Sequence, residues 1–308
     1  ASHRAARVLG RLGRWVLAVS LLSAAAFLAL PWVAPQGSPG LFIAITLLWV
    51  VTTSALRAPP LTMLGRYVAR PSQPMMVALA SFGLGVANAL APYLGLQLKA
   101  LDPRVPFGLA ALALALVTLG MVAAERALAR QATATAAPPP AAAPAGRGTV
   151  AAFLLACLIG ALAFQWHQAV SSPALALRHA AASDLPSLLP IFWVGFNLCL
   201  LPAGLLARRL GAPATMAIGA ELAMLGTAGA AFAPGLGLWI VAQLAAGAGW
   251  ALLLCAAFSA ALALGATGRE GLMSGALSAT LAGAALVRIG TVLAVSPTPA
   301  LAQGLAWV

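Results

Sequence analysis

The sequence predicts an all-α fold, a polytopic helical membrane protein, and three observations predict it. Hydrophobic residues make up 62% of the 308-residue chain and charged residues only 7%. Mean hydropathy is +1.00, a balance that one soluble core with a wet surface cannot hold. The apolar runs are continuous and near twenty residues long, the length an α-helix needs to cross about 30 Å of hydrocarbon. A membrane β-barrel would instead show alternating segments of about ten residues. Helices satisfy their own backbone polar groups inside lipid, so helices they must be.

The spans follow one another along the chain. The first, 15 to 33, is led by Arg4, Arg7, Arg11 and Arg14. A basic start before an apolar run also fits a signal peptide, but the many later spans favour a retained helix. Spans at 40 to 56, 74 to 95 and 106 to 124 come next. The stretch 125 to 148, ERALARQATATAAPPPAAAPAGRG, has no apolar run; charged ends and a Pro/Ala-rich middle read as a flexible linker. It separates an N-terminal part, 1 to 124, from a C-terminal part, 149 to 308. The second part holds spans at 149 to 170, 187 to 206, 213 to 232, 236 to 264 and 271 to 295, with a stub from Pro299. The 236 to 264 run is longer than the hydrocarbon requires, so its ends should emerge or the helix should tilt.

Charge sets the orientation. Thirteen of the seventeen Lys and Arg fall in alternate connections, at Arg4, Arg7, Arg11 and Arg14, Arg57, Arg66 and Arg70, Arg126, Arg130 and Arg147, Arg208 and Arg209, and Arg269. The intervening connections hold only Lys99, Arg104 and Arg178, and Arg288 lies inside a span. Positively charged loops stay on the cytoplasmic side, so the linker is expected there. Trp15, Trp32, Trp166 and Trp239 stand at span ends, where an interfacial aromatic belt would place them.

The same pattern excludes several functions. A net charge of +12 suggests nucleic acid, but the basic residues are dispersed between apolar runs with no aromatic-laced patch, so no nucleic-acid partner is expected. Cys157, Cys199 and Cys255 sit inside apolar runs without CxxC or Cys/His spacing and read as small buried hydrophobes, with no metal and no cofactor implied. Three scattered His and five scattered acids make no catalytic cluster, so the chain is not read as an enzyme. The composition, rich in Ala, Gly, Pro and Arg, fits a bacterial source.

An internal repeat appears at two of the Arg-rich turns. Arg11-Leu12-Gly13-Arg14 precedes one span and Gly204-Leu205-Leu206-Ala207-Arg208-Arg209-Leu210-Gly211 precedes another. Here the chain resembles the major facilitator superfamily, two six-helix bundles related by a pseudo-twofold axis and joined by a cytoplasmic loop, with a GxLaDRxGRR motif between helices 2 and 3 and a weaker copy between 8 and 9. In this sequence Gly10 stands in the Asp place of the first copy and Arg208 in that of the second. The resemblance implies that the spans are helices 3 to 6 and 7 to 11, with helices 1 and 2 and most of helix 12 missing. It implies that Arg11, Gly13, Arg14, Arg208 and Arg209 form gating turns, with Glu270 at a helix N-terminus as a partner for an Arg; the same Arg also serve as plain topology anchors. Ala87 to Leu96, with Asn88 and Pro92, is similar to the gxxxGPxxGG motif of antiporters in the superfamily, and close helix packing explains the same residues.

Polar residues inside spans are the candidates for contact with cargo, because lipid penalises them. Helical spacing puts Gln165, Gln168 and Ser172 on one stripe, with His167 pointing elsewhere toward an interfacial hydrogen bond. Trp193 and Asn197 are one turn apart, Gln243 and Trp250 two turns apart, and Thr46, Trp49 and Thr53 share a stripe. With Asn88, these suit a cavity for an amphipathic organic molecule, on helices that line the cavity in the superfamily; interhelix packing is the alternative for each alone. Arg288 shares a face with Ser274 and Ser278. At a helix centre it would cost about 2.5 to 3.5 kcal/mol, so it either meets a watery cavity or a partner, or snorkels to the headgroups. Glu221, about 12 Å into its span, is expected to reach Arg208 or Arg209 or to carry a coupling proton.

The expectation is therefore a secondary transporter of a small organic compound in a bacterial inner membrane, working as a monomer by alternating access and coupled to protons or another ion. Antiport leading to export comes first, on the 87 to 96 motif; uptake by symport and a nontransporting sensor or assembly factor of the same fold are the alternatives.

Overall fold

A computed structural model describes residues 2–34, 38–98, 100–132, 146–265 and 269–295. Among them all regular structure is helical, and nine helical stretches are long and apolar enough to cross a membrane. The chain is a multi-pass helical membrane protein.

The elements are α1 (Ser2–Val33), α2 (Pro39–Ala55), α3 (Ala58–Tyr67), α4 (Gln73–Leu98) and α5 (Arg104–Ala132), then α6 (Arg147–Trp166), α7 (Ser172–Ala176), α8 (Leu185–Leu188), α9 (Pro190–Leu210), α10 (Ala212–Ala231), α11 (Leu236–Leu264) and α12 (Glu270–Val295). Every span expected from the sequence has its helix. Of the stretch read as a linker, 125 to 148, the two ends are helical, α5 running on through Ala132 and α6 starting at Arg147, and residues 133–145 lie outside the described residues. Glu125, Arg126 and Arg130 form a polar last turn and a half, as a helix does on leaving the apolar layer. Between α2 and α4 the chain adds the short amphipathic helix α3.

The chain forms two compact units. The first contains residues 1–67 and 96–140. In it α1 packs against α2 and α5, and α3 against α5. Phe27 joins the three long helices by stacking on Trp49 at 4.8 Å and on Phe107 at 4.5 Å. Buried Ser20 accepts a hydrogen bond from the Thr118 hydroxyl at 3.0 Å, so α1 and α5 also meet through a paired polar contact. The Arg104 guanidinium lies 3.9 Å over the Trp32 ring. That is a cation–π pair at span ends, where an amphipathic ring and a cation both suit the interface.

The second unit contains residues 68–95 and 141–308, so most of α4 packs with the later helices although the sequence divides the chain at the linker. At its centre is α11, largely buried and lacking any charged residue, packed along its length by α9 and α10 and also by α12 and α6. Glycine makes these approaches possible. A Cβ on Gly247 would overlap the Phe192 carbonyl of α9, and one on Gly195 would overlap the Leu244 carbonyl of α11. Gly219 and Gly226 of α10 lie equally close to the α11 backbone around Gly249 and Ala246. Backbone meets backbone, the arrangement small residues allow between membrane helices. α4 touches α9 at Gly204, which faces Pro74, Met75 and Ala78, and at Gly85, which faces Asn197 and Phe196. The Cys255 thiol of α11 donates to the Pro74 carbonyl at 3.5 Å.

Two expectations need correction. Trp239 belongs to no interfacial belt: it is fully buried among Leu175, Ala176, Leu188, Ala230 and Ala242, while Trp15, Trp32 and Trp166 stay exposed. Glu221 is exposed on α10, and among the described residues it makes no ion pair with Arg208 or Arg209. From the middle of α10 a carboxylate on the outer face is more than two turns from the last turn of α9.

Candidate functional site

α6 does not continue into α7 as a plain α-helix. Residues His167–Ser171 form a π-helical segment, and the Ser172 N–H donates to the His167 carbonyl five residues back. The sequence explains the wide turn: Pro173 has no N–H and its ring displaces the carbonyl four residues before it. A five-residue hydrogen-bond spacing inserts one residue into the register, and such insertions recur at functional sites.

This shift changes which residues face inward. The stripe of Gln165, Gln168 and Ser172 assumed an unbroken 3.6-residue period, and the insertion breaks it. Ser172 is buried, but Gln165 and Gln168 are only half-buried. His167 turns into the core, 6% exposed, with its Nε2 3.2 Å from Oε1 of the fully buried Gln243 on α11. An internal pair replaces the interfacial bond expected for His167.

Around this pair lies a closed set of rings from α6, α9 and α11. Phe164 stacks on Trp250 with centroids 4.2 Å apart and planes within 2° of parallel. Trp193 meets Phe164 edge-on at 5.9 Å and also contacts Phe192 and Phe196 at 5.4 Å each. The His167 ring is 6.3 Å from Phe192. Offset and edge-on pairs of this kind contribute about 0.5–1.5 kcal/mol each beyond burial.

Of the residues singled out as cavity candidates, the structure brings together Trp193, Trp250 and Gln243, joined by His167, Phe164, Phe192 and Phe196. Asn197 lies one turn beyond Trp193, its amide donating to the Trp193 carbonyl at 2.9 Å and resting against Gly85. Asn88 is half-buried and donates to its own helix at Leu84. Trp49 belongs to the first unit, in the stack with Phe27, and the Thr46 and Thr53 hydroxyls bond carbonyls of their own helix at Phe42 and Trp49. Arg288 lies on α12, with Nε buried and no protein partner. Ser274 and Ser278 on its face donate to the carbonyls of Glu270 and Ser274.

Several polar atoms here are buried without a protein partner: Gln243 Nε2, Trp239 Nε1, Gln168 Oε1 and Asn197 Oδ1. Each such atom costs about 1–3 kcal/mol unless water or a ligand meets it. Four such atoms lie in the interior of one unit, on the π segment, α9 and α11, the elements that also carry the aromatic set.

The gating candidates are separately placed. Gly211 ends α9 with φ +83°, a conformation that side chains resist, and turns the chain directly into α10. Arg208 and Arg209 are exposed in the last turn of α9, favourably sited at a helix C-terminus. Pro92 lies inside α4, which continues past it. Glu270 is in the first turn of α12. Arg11, Gly13 and Arg14 fall within α1, and their side chains lie outside the described residues. Among the described residues no cluster of His, Cys, Asp or Glu could hold a metal ion.

His167, Phe164, Phe192 and Phe196 are the site residues that sequence spacing missed. The signal was Ser171-Ser172-Pro173, a helix breaker one turn after the histidine. No known protein-family model matches the chain, and no curated protein matches it.

Proposed function

We propose that the chain is a secondary active transporter of the major facilitator type, moving a small amphipathic organic compound across a bacterial inner membrane by alternating access. Proton-coupled export is the direction we favour, from the antiporter-like stretch Ala87 to Leu96. The single observation that supports the reading is the set of buried polar atoms without hydrogen-bond partners, on Gln243, Asn197 and Gln168, in the same unit as the Trp193 and Trp250 aromatic set. A structural core would pair those atoms or replace them with apolar groups. A binding site keeps them for cargo and water, and the aromatic faces supply contact for an apolar ring or chain.

Membrane spans that carry such groups usually mark a pathway. The Arg-rich connections put the linker on the cytoplasmic side, and α9 meeting α10 through the Gly211 turn suits a hinge at that face. The test is transport in inverted membrane vesicles with an imposed proton gradient and a panel of fluorescent amphipathic dyes. Export predicts gradient-driven dye accumulation in these vesicles, reduced by Trp250→Ala and Gln243→Ala. Accumulation only in right-side-out vesicles would instead establish uptake, and no movement of any dye in either orientation counts against a transporter of amphipathic compounds.

A further inference from the structure

We propose that His167 is the proton-binding residue of this protein, taking the coupling proton on Nδ1 while Gln243 holds Nε2. The inference rests on the transporter reading and names the group that would couple it to a proton gradient.

A proton-coupled carrier needs a side chain within the membrane that gains and loses a proton near neutral pH, and imidazole is the natural one. The acids of the second unit are elsewhere. Asp184 is exposed in the turn before α8, Glu221 is exposed on α10, and Glu270 is in the first turn of α12. In the first unit Asp102 lies in the turn before α5, and Glu125 lies in the polar end of that helix. Among the described residues, His167 is the histidine that combines burial with a side-chain partner on a neighbouring helix.

The orientation of the Gln243 amide, with Oε1 toward the ring, selects the tautomer. Gln243 Oε1 can only accept, so Nε2 carries the hydrogen and donates, leaving the lone pair on Nδ1. Uptake is then a single step: a proton from water joins the Nδ1 lone pair, no other bond breaks, and the imidazolium keeps its Nε2–H bond to Gln243. Release reverses it.

No described charge compensates the imidazolium. α11 and α7 have no charged residue, α6 has Arg147 at its first position, and α9 has Arg208 and Arg209 in its last turn. α12, packed on α6 and α11, carries Glu270 in its first turn and Arg288. α4 has no charged residue between Gln73 and Leu98, and α10 only the exposed Glu221. The thiols of these elements are Cys157, Cys199 and Cys255, the last donating to Pro74. A charged ring in such apolar surroundings favours whichever arrangement admits water, and that preference is what coupling requires. The wide turn at His167–Ser171 supplies a place where the ring can change facing by a switch between π and α spacing. Gln243 Nε2 and Trp239 Nε1, one turn apart along α11 and without hydrogen-bond partners, are the groups a water entering beside the ring would meet.

The test is substrate-free. Histidine ring ¹⁵N signals are followed by NMR from pH 5 to 9 in the full chain held in lipid nanodiscs, with His167 assigned by comparison with His167→Gln. Tryptophan emission is recorded in parallel, since Trp193, Trp239 and Trp250 surround the site. The expected result is a one-proton transition of His167 within the scanned range, an emission change with the same midpoint, and loss of that change in His167→Gln but not in His179→Gln. A ring that keeps one protonation state throughout, a transition without an emission change, or an emission change undiminished in His167→Gln overturns the proposal. The ring measurement on the unaltered chain decides even where the variant fails to fold. A titrating, emission-coupled ring in a protein that moves no dye rejects the transporter and keeps the proton site; dye export with a silent ring does the reverse.

Discussion

Gln243 is the residue on which the site turns, because its amide is fully buried and one end holds His167 while the other has no hydrogen-bond partner. Replacing it with Leu leaves the imidazole N–H unpaired in an apolar core. Gln243→Leu is expected to lower stability by about 1–3 kcal/mol, seen as a fall in the thermal unfolding midpoint in detergent. Double replacement with His167→Leu should recover most of that loss, because removing both partners of a buried bond is nearly neutral. At Gly211 the backbone itself is the constraint: φ of +83° makes Gly211→Ala cost about 1 kcal/mol or more, read in the same assay. Individual residues were legible where lipid makes them costly. Gln243, Trp193 and Trp250 stood out as polar or amphipathic groups in apolar runs. Trp239 did not, since belts and cores both use tryptophan and only packing separates the two.

The π segment is the element whose geometry sets the site. If Pro173 is its cause, restoring the missing N–H with Pro173→Ala should return the helix to α spacing and rotate His167 away from α11. The measurement is disulfide trapping between His167→Cys and Gln243→Cys, with Cys157, Cys199 and Cys255 replaced by Ala. Efficient cross-linking is expected while Pro173 is kept, and a several-fold loss once Pro173→Ala is added. Crosslinks of equal yield in both would show that something other than the proline holds the wide turn. The spans themselves were readable, because hydrocarbon thickness imposes their length and the bilayer leaves no other backbone solution, while their extensions beyond the apolar layer, as in α1 and α5, were not. Facing within a helix was not, because one inserted residue moves every later side chain by about 100° around the axis.

For the molecule, the Arg distribution predicts a sidedness that labelling can check. Gly148→Cys, at the start of α6, should react with a membrane-impermeant maleimide only in inverted vesicles, and Ser183→Cys, before α8, only in right-side-out ones. Both being reached from one side would remove the topology on which the export reading depends. The nine spans among the described residues were evident in composition, whereas the allegiance of α4 was not. Its sequence neighbours lie in the first unit and its contacts in the second. Pairing of that kind depends on matching small residues, here Gly85 and Gly204, and no single helix displays it.

The glycine contacts of α11 have a consequence for how such a protein can change over time. Gly247 and Gly249 engage α9 and α10 through main-chain atoms at a distance that admits no side chain, while Gln243 and Trp250 on the same helix contribute side chains to the candidate site. Scaffold and site chemistry are thus carried by different residues of one helix, so side chains at the site can change while the glycines keep the architecture.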